Sequence, residues 1–257
     1  MSYTSAYQNR GIVYQKQKKF SLALADYNKL ISIDSDNGIA YNNRAMIYEN
    51  QGQLDLAMAD YTKAIQYQPK LPEAYYNRGI IHNKQRQPQL AIADFTKAIE
   101  INPNYGKAYG NRGLTYSELG EWQLALNDYS KTIQLQPNDP IVYYNRGNLY
   151  ARQKKWSLAI SDFNKAIQLN PDYGFAYYNR GIVYSRQQKH DLAIADYTKA
   201  IGVDSKFAWA YFNRGVGYMV KRDLEKAKAD FQEAAQLFKT QGNQAGYQKT
   251  RQMLQRL

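Results

Sequence analysis

At 257 residues, with a net charge of +12 and no cysteine, the chain has no disulfide framework, no thiol nucleophile and no thiolate metal site. No apolar run approaches the roughly 18 residues a membrane span requires. The opening Met1-Ser2-Tyr3-Thr4 lacks the basic-then-apolar order of a secretory leader, so a cytoplasmic protein without membrane insertion is expected.

Taken in chain order, Asn-Arg followed by a small residue occurs at Asn9-Arg10-Gly11, Asn43-Arg44-Ala45, Asn77-Arg78-Gly79, Asn111-Arg112-Gly113, Asn145-Arg146-Gly147, Asn179-Arg180-Gly181 and Asn213-Arg214-Gly215, always 34 residues apart. A period of that length over nearly a whole chain indicates stacked repeats, not a globular domain around one active site. The repeats run 4–37, 38–71, 72–105, 106–139, 140–173, 174–207 and 208–241. In the fifth, Tyr143, Arg146, Gly147 and Tyr150 share one helix face, and Trp156, Ala159, Ile160, Phe163, Ala166 and Ile167 share another. Each repeat is therefore two antiparallel helices, joined in this copy near Lys154-Lys155. Pro69, Pro103, Pro137 and Pro171 close second helices, Pro72, Pro88 and Pro140 open helices, and Gly52 and Gly120 fall in turns. From Gln244 to Leu257 one more helix is expected, with Tyr247, Met253, Leu254 and Leu257 capping the last repeat. No equivalent precedes Thr4, and this uncapped first repeat points to a homo-oligomer formed through it or to residues absent from this chain. The fold class is all-α, an α-solenoid of seven helix-turn-helix repeats (4–241) with a C-terminal capping helix (242–257).

Some positions are small in nearly every copy. Alanine stands at Ala23, Ala57, Ala91, Ala125, Ala159, Ala193 and Ala227, and glycine follows Asn-Arg everywhere except at Ala45. Because alanine is accepted once, the requirement is close helix contact and not a positive φ. Tyr27, Tyr61, Phe95, Tyr129, Phe163, Tyr197 and Phe231 supply the large partners and belong to the core.

With Tyr at the fourth position, a small residue at the eighth, Tyr at the eleventh, Ala at the twentieth, an aromatic at the twenty-fourth and Pro at the thirty-second, the repeat resembles the tetratricopeptide repeat over residues 4–241. The resemblance implies a right-handed superhelix whose first helices line a concave groove, and a non-catalytic adaptor holding a peptide or partner segment there. The seventh position, usually leucine in that family, is instead Arg10, Arg44, Arg78, Arg112, Arg146, Arg180 or Arg214. The twenty-third is always acidic: Asp26, Asp60, Asp94, Asp128, Asp162, Asp196 and Asp230. One cation for one anion predicts a series of ion pairs between helices. Arg146→Leu is expected to be tolerated or even stabilising, and Arg146→Ala to destabilise by leaving Asp162 or its equivalent unpaired. The pairs also cancel much of the basic charge, and Lys29, Lys63, Lys97, Lys131, Lys165 and Lys199 recur on an outward face.

Asn9, Asn43, Asn77, Asn111, Asn145, Asn179 and Asn213 are poor helix-interior residues, so something offsets them. In related superhelical scaffolds asparagines at this position line the concave face and hold an extended peptide by its backbone. An amide has the donors and acceptor for that, and alternatively these side chains bond to a neighbouring helix and serve stability. Around them Tyr76, Tyr144, Tyr178 and Phe212 at the fifth position, with Phe175 and Trp209 at the second, form an aromatic cradle with Arg152 and Arg186 nearby. The fifth position carries no basic residue, which disfavours the terminal-carboxylate clamp of chaperone-linked relatives. His82 and His190 are isolated, no phosphate loop occurs, and no catalytic, cofactor or metal residues are assigned. Two other readings compete with a peptide-binding scaffold. One is a basic scaffold binding nucleic acid or a phosphorylated ligand through a turn-edge stripe that includes Lys16, Lys84, Arg86, Arg152, Lys154, Arg186, Lys189 and Lys221. The other is a structural self-assembling array.

Overall fold

A computed structural model describes the chain from Tyr3 to Leu257, and among the described residues it contains fifteen α-helices and no strand. Two compact units are formed, the first reaching Leu135 and the second running from Gln136 to Leu257. The first holds α1 (Tyr3–Lys16), α2 (Phe20–Ile33), α3 (Gly38–Asn50), α4 (Leu54–Tyr67), α5 (Pro72–Lys84), α6 (Pro88–Ile101), α7 (Gly106–Glu118) and α8 (Trp122–Leu135). The second holds α9 (Pro140–Arg152), α10 (Trp156–Leu169), α11 (Gly174–Arg186), α12 (His190–Val203), α13 (Ala208–Val220), α14 (Leu224–Thr240) and α15 (Gln244–Leu254). Within each unit every helix packs on the next, and the first helices of the repeats also touch in series, α1 to α3 to α5 to α7 and α9 to α11 to α13.

Local chemistry fixes the helix ends. The second helices α4, α6, α8 and α10 stop two residues before Pro69, Pro103, Pro137 and Pro171, because the residue before a proline is pushed out of helical geometry. Between the helices of a repeat the chain turns through a left-handed residue at one fixed position: Lys18, Gly52, Arg86, Gly120, Lys154, Gln188 and Arg222, with φ between 56° and 80°. Only two of these seven are glycine, so five repeats hold a side chain in a conformation that suits glycine better.

The core repeats with the sequence. The recurring alanines on the second helices are buried, as are the seven rings from Tyr27 to Phe231. A Cβ placed on Gly11 would lie 2.7 Å from the Tyr27 ring, and one on Gly147 would lie 2.9 Å from the Phe163 ring. Smallness at that position is thus a matter of ring clearance, and the second repeat, with Ala45 buried beside Tyr61, adjusts to one methyl. The seven copies also differ in a correlated way. Tyr27 Oη donates to Gln15 Oε1 at 3.0 Å and Tyr61 Oη to Glu49 Oε2 at 3.1 Å, whereas Phe163 and Phe231 face Ala151 and Met219 at the equivalent first-helix position. Phe95 breaks the match, and its Asn83 instead donates to the buried Thr115 Oγ1 at 2.7 Å, a hydroxyl where the other copies carry an apolar residue or glycine. A hydroxyl is kept where it has a partner and removed where it has none.

Arginine and aspartate tie the helices together. Arg180 Nε and Nη2 donate to Asp196 Oδ2 and Oδ1 at 2.8 and 2.6 Å, a bidentate pair, and the same fork forms in every copy from Arg10–Asp26 to Arg214–Asp230. The guanidinium lies between two tyrosines, 5.6 Å from the Tyr177 ring and 5.9 Å from the Tyr184 ring. Its remaining nitrogen reaches the preceding repeat: Arg180 Nη1 donates to Asn164 Oδ1, Arg214 Nη1 to Thr198 Oγ1, Arg44 Nη1 to Asn28 Oδ1 and Arg112 Nη1 to Thr96 Oγ1. One side chain therefore holds three helices. Arg10 keeps the fork and the two flanking rings, Tyr7 and Tyr14, and its side chain is 56 % exposed.

The last helix, α15, packs on α14 and brings Tyr247, Met253 and Leu254 against Phe231 and Phe238. Leu257, expected with them, lies past the helix end and is exposed. No helix among the described residues is long and apolar enough to cross a membrane.

A single Arg→Leu exchange, expected above to be tolerated, strands a buried aspartate, because Asp196 accepts from Arg180 and from no other side chain among the described residues. Urea unfolding of Arg180→Ala and of Arg180→Leu is expected to show a loss of about 3–5 kcal/mol in each, with Arg180→Leu/Asp196→Ala recovering most of it. Lys154→Gly is expected to gain about 0.5–1 kcal/mol by relieving the left-handed turn residue, measured in the same way.

Candidate functional site

The asparagines of the first helices have one set of partners. Asn111 Nδ2 donates to Tyr76 Oη at 3.0 Å and to the Lys107 carbonyl at 3.1 Å. Asn179 Nδ2 donates to Tyr144 Oη at 3.1 Å and to Asn148 Oδ1 at 2.7 Å, and Asn213 Nδ2 donates to Tyr178 Oη at 2.9 Å. Asn77 Nδ2 reaches Asn42 Oδ1 at 3.2 Å. In each case one acceptor is the fifth residue of the preceding repeat, 35 positions back. Asn43 instead accepts from Asn42 Nδ2 at 3.3 Å, Asn145 makes no such bond within its unit, and Asn9 is exposed. The two ends of one amide thus part company. The nitrogen serves the stack, while Oδ1 of Asn111, Asn179 and Asn213 accepts from no group among the described residues.

The aromatic cradle is more deeply packed than the sequence suggests. Tyr76 lies 5.0 Å from Tyr105, Tyr144 lies 5.0 Å from Tyr173 and Tyr178 lies 4.6 Å from Phe207, ring to ring, so these three form half-buried walls. Phe212, expected on the groove, is only 4 % exposed and packs on Phe231 and Trp209, where it is core. Trp209 is half-buried against Phe238, with ring centroids 4.8 Å apart, and Phe175 is 56 % exposed and meets Phe207 edge-on, with ring centroids 5.3 Å apart. Burial raises the hydroxyl pKa of Tyr178, to about 12 against Asn213's opposing hydrogen bond, and that of Tyr173 likewise to about 12.

Within the second unit the first helices border an open cavity of about 450 Å³. Tyr144, Asn148 and Arg152 of α9, Trp156 at the start of α10, and Asn179 and Arg186 of α11 line it, and Ala151, Ile182 and Val183 complete an apolar wall. A smaller cavity of about 200 Å³ shares Arg186 and adds Ser185, Tyr197 and Asn213. In the first unit a cavity of about 530 Å³ uses the same repeat positions, with Lys16, Phe20, Asn43 and Asn50 among its lining. Of the residues expected from sequence, the 450 Å³ cavity gathers Tyr144, Asn179, Arg152 and Arg186. It adds Asn148 and Trp156, which were not among the expected site residues. Asn148 carried a signal: the ninth position is otherwise Ile12, Met46, Ile80, Leu114, Ile182 or Val216.

Charge is unevenly used along the first-helix ends. Lys84 pairs with Glu49 at 2.6 Å and Lys221 with Asp191, so part of the turn-edge basic stripe is neutralised within the chain. Arg152 and Arg186 are exposed and form no ion pair among the described residues. His82, in place of tyrosine, contacts Gln87 Oε1 through Nδ1 at 2.7 Å and lies 3.7 Å from Asp94, whose oxygens Arg78 already holds. Among the described residues no group of His, Cys, Asp or Glu is assembled to hold a metal ion.

Family comparison agrees with this architecture. A family model described as tetratricopeptide repeat matches residues 4–37, 72–105, 140–173 and 175–207, and related repeat models match 26–59, 95–127, 47–85, 113–154 and 208–241. The chain belongs to the tetratricopeptide repeat family. Among solved structures, this repeat protein is similar to the C-terminal part of a repeat-containing protein from Cytophaga hutchinsonii, at 25 % identity and TM-score 0.72 over 89 % of this chain and 94 % of that one. It is similar to MamA at 27 % identity and TM-score 0.61, covering 64 % of this chain and 96 % of the other. YrrB, described as having an unusual peptide-binding site, shares the fold at 24 % identity and TM-score 0.64 over 72 % and 95 %. No curated protein matches the sequence.

The buried tyrosines predict a pH limit. Burial keeps the hydroxyls of Tyr27, Tyr173 and Tyr178 neutral up to about 12, against an ordinary value of 10.0. The neutral phenol is the form the fold accommodates, so their contribution is complete below pH 10 and is lost as pH rises through about 12. Urea midpoints measured against pH are expected to fall across that window, and the fall is expected to be shallower in Tyr27→Phe/Tyr173→Phe/Tyr178→Phe.

Proposed function

We propose that this scaffold binds an extended peptide or partner segment along its first helices, with the cavity between α9 and α11 as its main contact, and performs no chemistry of its own. A protein-interaction scaffold is what the tetratricopeptide family and this fold provide, and families of this kind are generally non-catalytic. The observation that carries the finer reading is the row of asparagine oxygens, each anchored through its own nitrogen and left with a free acceptor. An oxygen fixed in this way accepts a peptide N–H without regard to side chain, and its orientation is settled before the ligand arrives. Each such bond contributes only about 0.5–1.5 kcal/mol net, so binding requires several together with apolar contact on Trp156 and Ile182.

The basic charge supports the nucleic-acid reading less well. The arginines of the Asn-Arg motif are committed to aspartates, and Lys84 and Lys221 to carboxylates. Asn111→Ala/Asn179→Ala/Asn213→Ala, screened beside the wild type against a displayed random-peptide library, is expected to keep its helical circular dichroism and to lose at least about tenfold in retained peptide. An unchanged retained set would remove the asparagines from the site. A retained set that collapses steeply with added salt in both proteins would favour the phosphate-recognising alternative.

A further inference from the structure

We propose that the cavity between α9 and α11 selects an acidic residue, placing an aspartate or glutamate carboxylate of the bound segment between Arg152 and Arg186. This rests on the reading of the first helices as a peptide-binding surface and adds the chemistry of one position in that peptide.

The supply of hydrogen-bonding groups in the cavity is lopsided. Arg152 and Arg186 occupy the thirteenth position of successive repeats, and the stacking of α11 on α9 brings both to one cavity. At that position the other copies carry Lys16, Asn50, Lys84, Glu118 and Val220, so adjacent arginines occur only here. They differ from the arginines of the Asn-Arg motif, which are bound bidentately to aspartate: neither has a carboxylate partner among the described residues, and no acidic residue lines the cavity. Asn148 adds to the imbalance. It is the single polar residue at a position apolar in the other six copies, and its Oδ1 is occupied by Asn179 Nδ2. Its own amide hydrogens, bonded to no group among the described residues, are therefore what it presents to the cavity.

Two guanidinium groups and an amide donor around one space call for an anion rich in acceptors. A carboxylate fits, since each guanidinium can donate to it through paired N–H groups. The apolar wall of Ala151, Ile182 and Val183 suits the methylene stem of such a side chain better than it suits the bare oxygens of a phosphate. The acidic residue belongs inside the segment and not at its end. Arg186 also borders the neighbouring cavity with Asn213, whose oxygen is free to accept from backbone continuing in that direction.

The test uses the full chain, immobilised, and four peptide libraries with random flanks around a central glutamate, glutamine, phosphoserine or lysine. The wild type is expected to retain the glutamate library at least about tenfold over the glutamine library. Arg152→Gln/Arg186→Gln is expected to abolish that preference without shifting the melting temperature, since both side chains are exposed, and Arg186→Glu to turn it toward lysine. Equal retention of the glutamate and glutamine libraries, lost in the triple asparagine variant, would overturn the acidic selection and leave the peptide surface standing. Stronger retention of phosphoserine than of glutamate would overturn it in favour of a phosphate site. Retention of no library would overturn both readings.

Discussion

Everything in this fold hangs on the arginine that follows each asparagine. A family-typical leucine there would join two helices by packing alone. Here the fork to aspartate fixes the distance and rotation of the two helices in a repeat, the flanking tyrosines hold the guanidinium plane, and the outer nitrogen sets the spacing to the repeat before. The arrangement is directional, which apolar packing is not. It also carries a cost, because a half-buried ion pair has lost much of its hydration, and breaking it on one side leaves a charge with no partner.

Seven near-copies in one chain act as a built-in comparison. Where two copies differ and the fold does not, the difference has a local cause that neighbouring residues reveal. The tyrosine hydroxyls of the second helices appear with Gln15 and Glu49 and vanish opposite Ala151 and Met219, and Asn83 finds Thr115 when its ring is Phe95. The same logic separates residues retained for packing from residues retained for something else. Gly147 and Ala45 differ by a methyl that the opposing ring can accommodate. Asn148 differs from six apolar counterparts, and packing does not ask for it.

The fold was legible in the sequence because period, small residues and prolines all report backbone geometry, which repeats. Helix ends, turn positions and the pairing of arginine with aspartate follow from spacing alone. The site was legible only in part. That Asn179 lies on the first helix is a matter of period, but that its nitrogen is spent on Tyr144, a residue 35 positions earlier, depends on how far one repeat is displaced on the next. Phe212 looked like Tyr144 and Tyr178 from its position, yet in the last repeat α14 and α15 enclose it. Arg152 and Arg186 were visible as cations; that they share one cavity without a counter-ion was not.

Three adjacent residues, Asn179, Arg180 and Gly181, thus divide the proposed partner contact, helix tying and ring clearance among them. The central claim is that the contact function is separable from the other two. Side-chain NMR follows both at once, through the amide signals of the asparagines and the Nε–H signals of the arginines during titration with a glutamate-centred peptide. The account predicts that Asn148, Arg152 and Arg186 shift while Arg180 and Arg214 stay in place. Movement of Arg180 and Arg214 in step with the ligand, or shifts confined to the second-helix lysines Lys165 and Lys199, would contradict it.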